Sequence, residues 1–308
     1  MRKPTAIAPG DTVAIVSPAS ACVESNLANG IKLLEYRGYN LVFGKACYDR
    51  CGFLAGADEA RARDIHEAWF DPEIKGIVCS RGGYGAARLM PLLDLDRMAA
   101  TPKLFAGFSD ITTLHLALNH RGLATLHAPM VYSFAKERPA WVAEMWFDAF
   151  EGNGPIALPE GASRGKTLNE GSVEGEITGG CLCLLCDSLA TADPLDAEGK
   201  IVLVEDVDEP PHRVDAMLTH LLNAGVLQRA AGIVVGEMTG TDAKTDEGIG
   251  GIPWREIVAE RLCGLDVPIV IDFPFGHQDQ MSSLPLGIRA RLDADAGELT
   301  YLELGVER

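Results

Sequence analysis

Hydrophobic residues along the chain alternate between short apolar runs and longer amphipathic segments. Residues 12–16, 74–79 and 103–106 are apolar runs of strand length, and each leads into a turn sequence with glycine, serine or proline. Residues 23–37 and 58–70, between these runs, carry apolar side chains at helical spacing. Because strands that alternate with helices pair in parallel, the first half of the chain is predicted to be an α/β domain with a parallel sheet.

The second half alternates less regularly. The apolar run 201–204 predicts a further strand, and residues 287–304 have the pattern of a terminal antiparallel hairpin. The glycine-rich segment 151–172 has no helical period and is predicted to be a linker. We therefore predict a flavodoxin-like or amidotransferase-like α/β domain over residues 1–150, and a C-terminal α/β domain with a mixed sheet over residues 173–308.

Charge and composition narrow the classes of function. The 308 residues carry a net charge of −17 without a basic stripe, which excludes nucleic-acid binding and binding to anionic membrane surfaces. No apolar run approaches the roughly 20 residues of a membrane helix, and Pro4 and Pro9 interrupt the N-terminus where a signal peptide would be apolar. A cytoplasmic protein with eight reduced cysteines is therefore expected.

A serine lies where the third apolar run passes into a predicted helix, in the sequence Gly107-Phe108-Ser109-Asp110. A sharp strand-to-helix turn exposes the hydroxyl of a nucleophilic serine, and the helix N-terminus favours negative charge beside it. Ile111 stands where the second glycine of the usual elbow motif would be. The alternative interpretation is that Ser109 is only a helix N-cap.

Three further segments have the residue types that a serine nucleophile requires. The turn 81–85 is rich in glycine, which suits either an oxyanion hole or a plain connection between strand and helix. The acidic run 205–209 offers a carboxylate that orients a histidine, unless it is only a solvated loop. His277 follows a predicted strand and is a candidate general base, with His127 as its rival.

The cysteines at positions 181, 183 and 186 have a spacing that invites comparison with zinc sites. No second cysteine or histidine cluster completes four ligands, and leucines surround the three residues. We therefore interpret them as small buried thiols on a helix and expect no metal.

Four segments together resemble the LD-carboxypeptidase family, the S66 serine peptidases, which includes murein tetrapeptide carboxypeptidases and microcin C self-immunity hydrolases. In chain order they are RGGYGAARLMPLLDLD, PKLFAGFSDITTLHLAL, VLVEDVDEPPHRVDAML and DFPFGHQDQMSSLPLG. The resemblance implies Ser109 as nucleophile, Glu205 as orienting acid and His277 as base. It also implies an oxyanion hole formed by the backbone N–H groups of Gly83 and Asp110.

The resemblance implies a function as well. The expected reaction is hydrolysis of an L,D amide bond that releases a terminal D-alanine from a muropeptide tetrapeptide during peptidoglycan recycling. No cofactor is expected, and the protein is expected to be a homodimer, as family members often are. Arg81 and Arg213 are candidate cations for the carboxylate of this small peptide substrate.

Two alternatives remain open at this point. One keeps the chemistry but makes the substrate a peptidyl- or aminoacyl-nucleotide amide, as in the microcin C immunity branch. The other is a catalytically silent protein that binds a small molecule on the same scaffold. Cys181 and Cys183 stand where many family members have an asparagine and a serine, so the choice of substrate is expected to be affected if this segment faces it.

Overall fold

The computed structural model describes residues 1–153, 157–245, 248 and 251–308. The strands and helices in chain order are β1 (Thr12–Val16), α1 (Ala28–Arg37), β2 (Asn40–Phe43), α2 (Asp58–Phe70), β3 (Ile74–Cys79), α3 (Leu95–Ala100), β4 (Leu104–Gly107), α4 (Thr112–His120), β5 (Thr125–His127), α5 (Ala140–Glu151), β6 (Lys166–Asn169), β7 (Ser172–Cys181), α6 (Leu182–Asp187), β8 (Ile201–Val207), α7 (Pro211–Asn223), β9 (Gly232–Thr239), α8 (Trp254–Leu262), β10 (Ile269–Ile271), β11 (Leu284–Leu286), β12 (Arg289–Asp293) and β13 (Glu298–Tyr301). Short 3₁₀ turns occupy Glu24–Asn26, Lys45–Tyr48, Ala86–Leu92, Ser109–Ile111, Val131–Ala135, Leu227–Arg229 and Asp242–Lys244.

The first sheet has six strands in the order β11-β5-β4-β3-β1-β2. Strands β2, β1, β3, β4 and β5 are parallel, and β11 pairs antiparallel with β5 at one edge. Strand β4 is buried at all four positions and β3 at five of six, as expected when both faces of a parallel sheet are covered. The parallel α/β arrangement predicted for the first half is confirmed.

The second sheet has seven strands in the order β13-β12-β7-β8-β9-β10-β6. Its centre, β7 to β10, is parallel, whereas β12, β13 and β6 join antiparallel, so the sheet is mixed as predicted. The expected C-terminal hairpin is formed by β12 and β13. Glu205 lies near the carboxyl end of β8, where the parallel pairing of β8 with β7 ends.

The chain divides into two units. Unit 1 comprises Met1–Gly154 with Ser283–Gly287 and Leu304–Arg308, and unit 2 comprises Pro155–Ser282 with Ile288–Glu303. The two late segments of unit 1 lie inside the range 173–308 that was predicted for the second domain. Ser283–Gly287 belongs to unit 1 because it contains β11, which pairs with β5.

The segment 151–172, predicted to be a linker, contains regular structure. Strand β6 pairs with β10, and Ser172 begins β7, so this part of the segment belongs to the second sheet. Residues 154–156 of the predicted linker lie outside the described residues.

Large aromatic side chains fill the core of each unit. In unit 1, Trp146 packs against Phe134 and Phe150 with ring centroids 4.9 and 5.1 Å apart. In unit 2, Phe273 and Phe275 are fully buried. Along the described part of the chain, no helix has both the length and the apolar character that a membrane crossing requires.

Candidate active site

Ser109 lies on a sharp turn between β4 and α4. The preceding Phe108 is extended, with φ of −156°, and Ser109 then takes a φ of +65°. A non-glycine residue in this left-handed region is strained, and such strain is concentrated at functional sites. Phe108 occupies the N-cap position of the 3₁₀ turn and makes no side-chain capping hydrogen bond, and Ser109 is the first residue inside the turn. The interpretation of Ser109 as a plain N-cap is therefore wrong.

Two glycines leave room for this turn. A Cβ on Gly107 would lie 3.0 Å from the side chain of Ile111 and 3.2 Å from Cβ of Cys79. A Cβ on Gly82 would lie 2.9 Å from Cβ of Ser109 and 3.1 Å from its Oγ. The glycine-rich turn therefore packs directly against the serine, and Gly82 makes this contact possible.

Side chains from three parts of unit 1 hold the glycine-rich turn in place. Asp110, which is buried, accepts a hydrogen bond from the backbone N–H of Ala86 at 2.7 Å. Ser20 Oγ accepts one from the backbone N–H of Tyr84 at 3.0 Å. The guanidinium of Arg61, also buried, donates to the carbonyl of Gly85 at 3.0 Å. The turn is thus tied to the residue that follows Ser109.

Gly83, predicted to supply an oxyanion-hole N–H group, lies in the same turn with a φ of +109°. A Cβ at this position would lie 2.7 Å from Cβ of Ser20, so a side chain here would displace a residue that anchors the turn. Glycine is required at this position by both conformation and packing.

His277 and Glu205 are brought together in unit 2. Nδ1 of His277 lies 2.7 Å from Oε2 of Glu205, whose side chain is fully buried, while that of His277 is 17% exposed. The carboxylate therefore holds one ring nitrogen and orients the ring. Gly276, with a φ of +87°, makes the approach possible, because a Cβ there would lie 2.6 Å from Cγ of Glu205.

The backbone around both residues is irregular. Between Val204 and Asp206 the register of β8 against β9 shifts, so two residues of β9 face Glu205. Bulges of this kind re-aim a side chain at the end of a strand. On the other side, Gln278 donates hydrogen bonds to the carbonyls of Phe273 and Phe275, at 2.9 and 3.2 Å, and so braces the loop that carries His277.

The charges around His277 change its protonation. Burial lowers the pKa of the imidazole. The charge and hydrogen bond of Glu205, together with the charges of Asp206 and Asp208, raise it by more than burial lowers it, so the pKa lies above its ordinary value. For Asp206, burial and the charge of Glu205 raise the pKa to about 6. The buried carboxylate and its acidic neighbours therefore stabilise the protonated form of the imidazole.

Histidines of unit 1 have other environments. His127, the rival candidate base, lies in β5 and is buried, with its ring 5.7 Å from that of Phe108. His115 is also buried, and its ring nitrogens lie 2.9 Å from the carbonyl of Gly107 and 3.0 Å from Oγ1 of Thr125. Burial lowers the pKa of His115 to about 3, so this ring is neutral and supports the end of β4.

The two arginines proposed for a carboxylate differ in their surroundings. Arg81 donates to the carbonyl of Ala21 at 3.2 Å, and its guanidinium lies 5.0 Å from the centre of the Tyr132 ring. Arg213, near the start of α7, has a side chain that is 55% exposed, and its Nε lies 3.8 Å from Oε2 of Glu209. The guanidinium of Arg81 thus already contacts groups of unit 1, whereas the side chain of Arg213 in unit 2 is largely exposed.

Comparison with known proteins identifies the family to which these sites belong. The family model for the LD-carboxypeptidase N-terminal domain matches residues 13–128, and that for the LD-carboxypeptidase C-terminal domain matches residues 174–292. The chain belongs to the LD-carboxypeptidase family. The resemblance carried by the four sequence motifs is therefore confirmed, and with it membership of a peptidase family.

Relatives of this protein are similar to it over nearly the whole chain. A probable murein peptide carboxypeptidase of Bacillus subtilis (strain 168) is 32% identical over 307 residues, covering 99% of this chain and 95% of that protein. The microcin C7 self-immunity protein of Escherichia coli is 26% identical over 331 residues, covering 96% and 94%. The structure of muramoyltetrapeptide carboxypeptidase from Oxalobacter formigenes aligns with a TM-score of 0.83 at 30% identity, covering 94% and 97%.

Sequence reasoning missed several residues that shape these sites. Gly82 and Gly276 were inside recognised motifs, but only the packing shows that a Cβ there would meet Ser109 or Glu205. Arg61 lies on a predicted helix, where a charged residue is normally expected to face solvent. Nothing in its local sequence indicates that it is buried beneath the glycine-rich turn.

Proposed function

We propose that this protein is a serine LD-carboxypeptidase that releases D-alanine from a muropeptide tetrapeptide. The observation that carries the proposal is the 2.7 Å contact between His277 and the buried Glu205, which is the arrangement of a general base and its orienting acid. The strained turn at Ser109 supports a nucleophile in unit 1. Membership of the LD-carboxypeptidase family supports the combination.

The proposed chemistry assigns each group one task. With Nδ1–H of His277 donating to Glu205, Nε2 is the nitrogen that accepts a proton from Oγ of Ser109. Oγ attacks the carbonyl carbon of the L,D amide, and the backbone N–H groups of Asp110 and Gly83 stabilise the negative oxygen. The tetrahedral intermediate then collapses to an acyl-enzyme: the bond from the carbonyl carbon to nitrogen breaks, and the imidazolium gives its proton to the leaving nitrogen of D-alanine.

The second half of the reaction regenerates the enzyme. A water molecule gives a proton to the neutral His277, and its oxygen attacks the acyl carbon bound to Ser109. The carbon–Oγ bond breaks, and His277 returns the proton to Oγ. The products are the shortened peptide, with a free carboxyl group, and D-alanine.

The proposed substrate ends in a carboxylate, which needs a local cation in a protein of charge −17. Arg81 and Arg213 remain the candidates for this role. Relatives named murein peptide carboxypeptidase and muramoyltetrapeptide carboxypeptidase support a peptidoglycan peptide as substrate. We expect replacement of the correct arginine by alanine to raise KM with a smaller change in kcat, because a carboxylate contact contributes to binding in ground state and transition state alike.

A coupled assay for free D-alanine tests the proposal. The purified protein is incubated with a muropeptide tetrapeptide ending in D-alanine, with the same peptide ending in L-alanine, and with the pentapeptide. We expect release only from the first peptide, and no release by the Ser109→Ala variant.

Other outcomes overturn the proposal in distinguishable ways. Equal cleavage of the peptide ending in L-alanine excludes an LD-carboxypeptidase. Hydrolysis of an aminoacyl-nucleotide amide but not of the tetrapeptide replaces the substrate with that of the microcin immunity branch. The similarity to the microcin C7 self-immunity protein favours this substrate as the second candidate. Binding of the tetrapeptide with no turnover by the unmodified protein indicates a catalytically silent binding protein.

A further inference from the structure

Two thiol groups meet at the junction of β7 and α6. Cys181 is the last residue of β7 and Cys183 lies in the first turn of α6, with their Sγ atoms 3.4 Å apart. Cys181 is buried, whereas Cys183 and Cys186 are partly exposed. The prediction of three buried thiols on a helix is therefore wrong in part, because Cys181 belongs to β7 and only Cys181 is buried. The turn from strand to helix thus brings the two sulfur atoms close together.

A carboxylate from the neighbouring strand completes the cluster. Strand β8 pairs with β7 so that Cys181 lies beside Glu205, and Asp206 follows. Oδ1 of Asp206 lies 3.5 Å from Sγ of Cys181, and Oδ2 accepts the backbone N–H of Cys183 at 2.9 Å. The ligand atoms of Cys181, Cys183 and Asp206 all lie within 4.8 Å of one another.

These distances suit a tetrahedral metal ion. With metal–sulfur and metal–oxygen bonds of about 2.3 and 2.0 Å, two sulfur ligands lie roughly 3.8 Å apart and a sulfur and an oxygen roughly 3.5 Å apart. In the structure the two sulfur atoms lie 3.4 Å apart, and Sγ of Cys181 lies 3.5 Å from Oδ1 of Asp206. Both distances are within a few tenths of an ångström of the tetrahedral values, and the third pair, Sγ of Cys183 and a carboxylate oxygen of Asp206, lies within 4.8 Å.

The sequence alone led us to expect no metal at these cysteines, because it did not show the neighbouring carboxylate. With Asp206 beside them, we propose that Cys181, Cys183 and Asp206 bind one thiophilic divalent cation of the Zn²⁺ or Cd²⁺ class. Two thiolates select such ions over Mg²⁺ and Ca²⁺, which prefer oxygen ligands only. Three protein ligands leave the fourth position for water, as in open zinc sites. No step of the proposed hydrolysis passes through this site, so absence of metal binding would leave the proposed hydrolysis unaffected.

Cadmium titration of the whole protein tests the site. The chain is stripped with a chelator, kept reduced with a phosphine, and titrated with Cd²⁺ while the ultraviolet band of cadmium thiolate is followed. We expect saturation at one Cd²⁺ per chain, and stoichiometric Zn²⁺ is expected to remove the band by competition.

Variants of single cysteines provide the controls. We expect the saturable band to be lost in Cys183→Ser and in the double variant in which Cys181 and Cys183 are both serine. Asp206→Asn is expected to weaken Cd²⁺ binding about 10-fold or more. Cys186→Ser is the matched control, because Cys186 lies on the same helix but its Sγ contacts the carbonyl of Met217 at 3.3 Å. This variant is expected to keep the band.

Two results would overturn the proposal. One is the absence of saturable Cd²⁺ binding in the unmodified protein. The other is a band that survives the Cys181 and Cys183 changes but is lost in Cys186→Ser. Near-ultraviolet circular dichroism of each variant shows that it is folded, and Cys183→Ser, at the more exposed position, provides the result if the double variant does not fold.

Discussion

Ser109 in unit 1 and His277 in unit 2 are positioned by different physical means. The conformation of Ser109 is set by the backbone, through a φ of +65° and glycines that leave space beside it. The orientation of His277 is set by another side chain, the buried Glu205, at 2.7 Å. A position held by backbone packing responds to changes of volume, whereas a position held by a charge pair responds to pH and to neutralisation.

The largest effect is expected from Ser109→Ala. If the hydroxyl forms the covalent intermediate, kcat falls by roughly 10⁴- to 10⁶-fold, because the remaining binding groups and oxyanion hole supply little of the rate. Steady-state release of D-alanine measures this. The matched control is Ser133→Ala, which removes another buried hydroxyl of unit 1, one that accepts a hydrogen bond from the backbone N–H of Met130. A similar loss of rate in both variants would contradict the assignment of Ser109.

The next effect in size is expected from Glu205→Gln, which removes the charge but keeps the shape. We expect kcat to fall by roughly 10²- to 10⁴-fold, as when the acid of a serine triad becomes an amide. The rate of the unmodified protein should rise with pH through a midpoint above about 6.5, because the base must be neutral and its partners raise its pKa.

The sign of the shift in the variant follows from the same charges. Without the negative charge of Glu205, the protonated imidazole is less stable, so the midpoint of the pH profile moves to lower pH. Asp208→Asn provides a graded control, because the charge of Asp208 also raises the pKa of His277 but contributes less than that of Glu205. A midpoint that is unchanged in Glu205→Gln would show that His277 is not the titrating base.

An intermediate effect is expected from Gly276→Ala, compared with Gly199→Ala. Both glycines have positive φ, +87° and +66°, but a Cβ at Gly199 meets nothing within 4 Å, whereas one at Gly276 meets Glu205. Both variants should lose roughly 1–2 kcal/mol for the left-handed backbone. Gly276→Ala should lose about 1–3 kcal/mol more by overpacking, and about 10-fold or more in kcat.

Denaturant unfolding and rate measurements on the two glycine variants separate these terms. If Gly276→Ala and Gly199→Ala are equally stable and equally active, the close approach of Glu205 to the backbone of Gly276 does not position the base.

The smallest effect concerns the strain at Ser109. Ser109→Gly and Ser109→Ala both lack the hydroxyl, so both should be inactive, but glycine adopts the left-handed conformation without strain. After the greater flexibility of glycine in the unfolded chain is subtracted, we expect Ser109→Gly to be more stable by about 0.5–1 kcal/mol. Urea unfolding curves of the pair measure the difference. Higher stability of the alanine variant would mean that the turn stores no strain.

Much of the fold follows from local sequence. The runs that form β1, β3 and β4 are apolar and of strand length, and glycine and serine follow them where the strands end. Strand periodicity and turn chemistry depend on neighbouring residues only, so a sequence pattern is sufficient to predict them. Strand β6 was missed because Lys166–Asn169 is short and polar, and it pairs at the sheet edge next to β10.

The candidate site depends on contacts between residues far apart in the chain. The residue pattern alone left several acids between 205 and 209 as possible partners of a histidine, and only the resemblance selected Glu205. The structure places Glu205, 72 positions before His277, within hydrogen-bond distance of it. The cysteine cluster is a similar case, since Asp206 joins Cys181 and Cys183 only through the pairing of β7 with β8.

The sequence by itself therefore determined the α/β class, the order of most strands and helices and the position of the serine turn, because these follow from periodicities of a few residues. Only the tertiary structure decided which carboxylate contacts His277 and that a carboxylate lies beside two thiols. It also showed that a Cβ at Gly82 would meet Ser109 and that a Cβ at Gly276 would meet Glu205. These features depend on strand register and on the space between packed side chains, and neither quantity is encoded in any short segment of the chain.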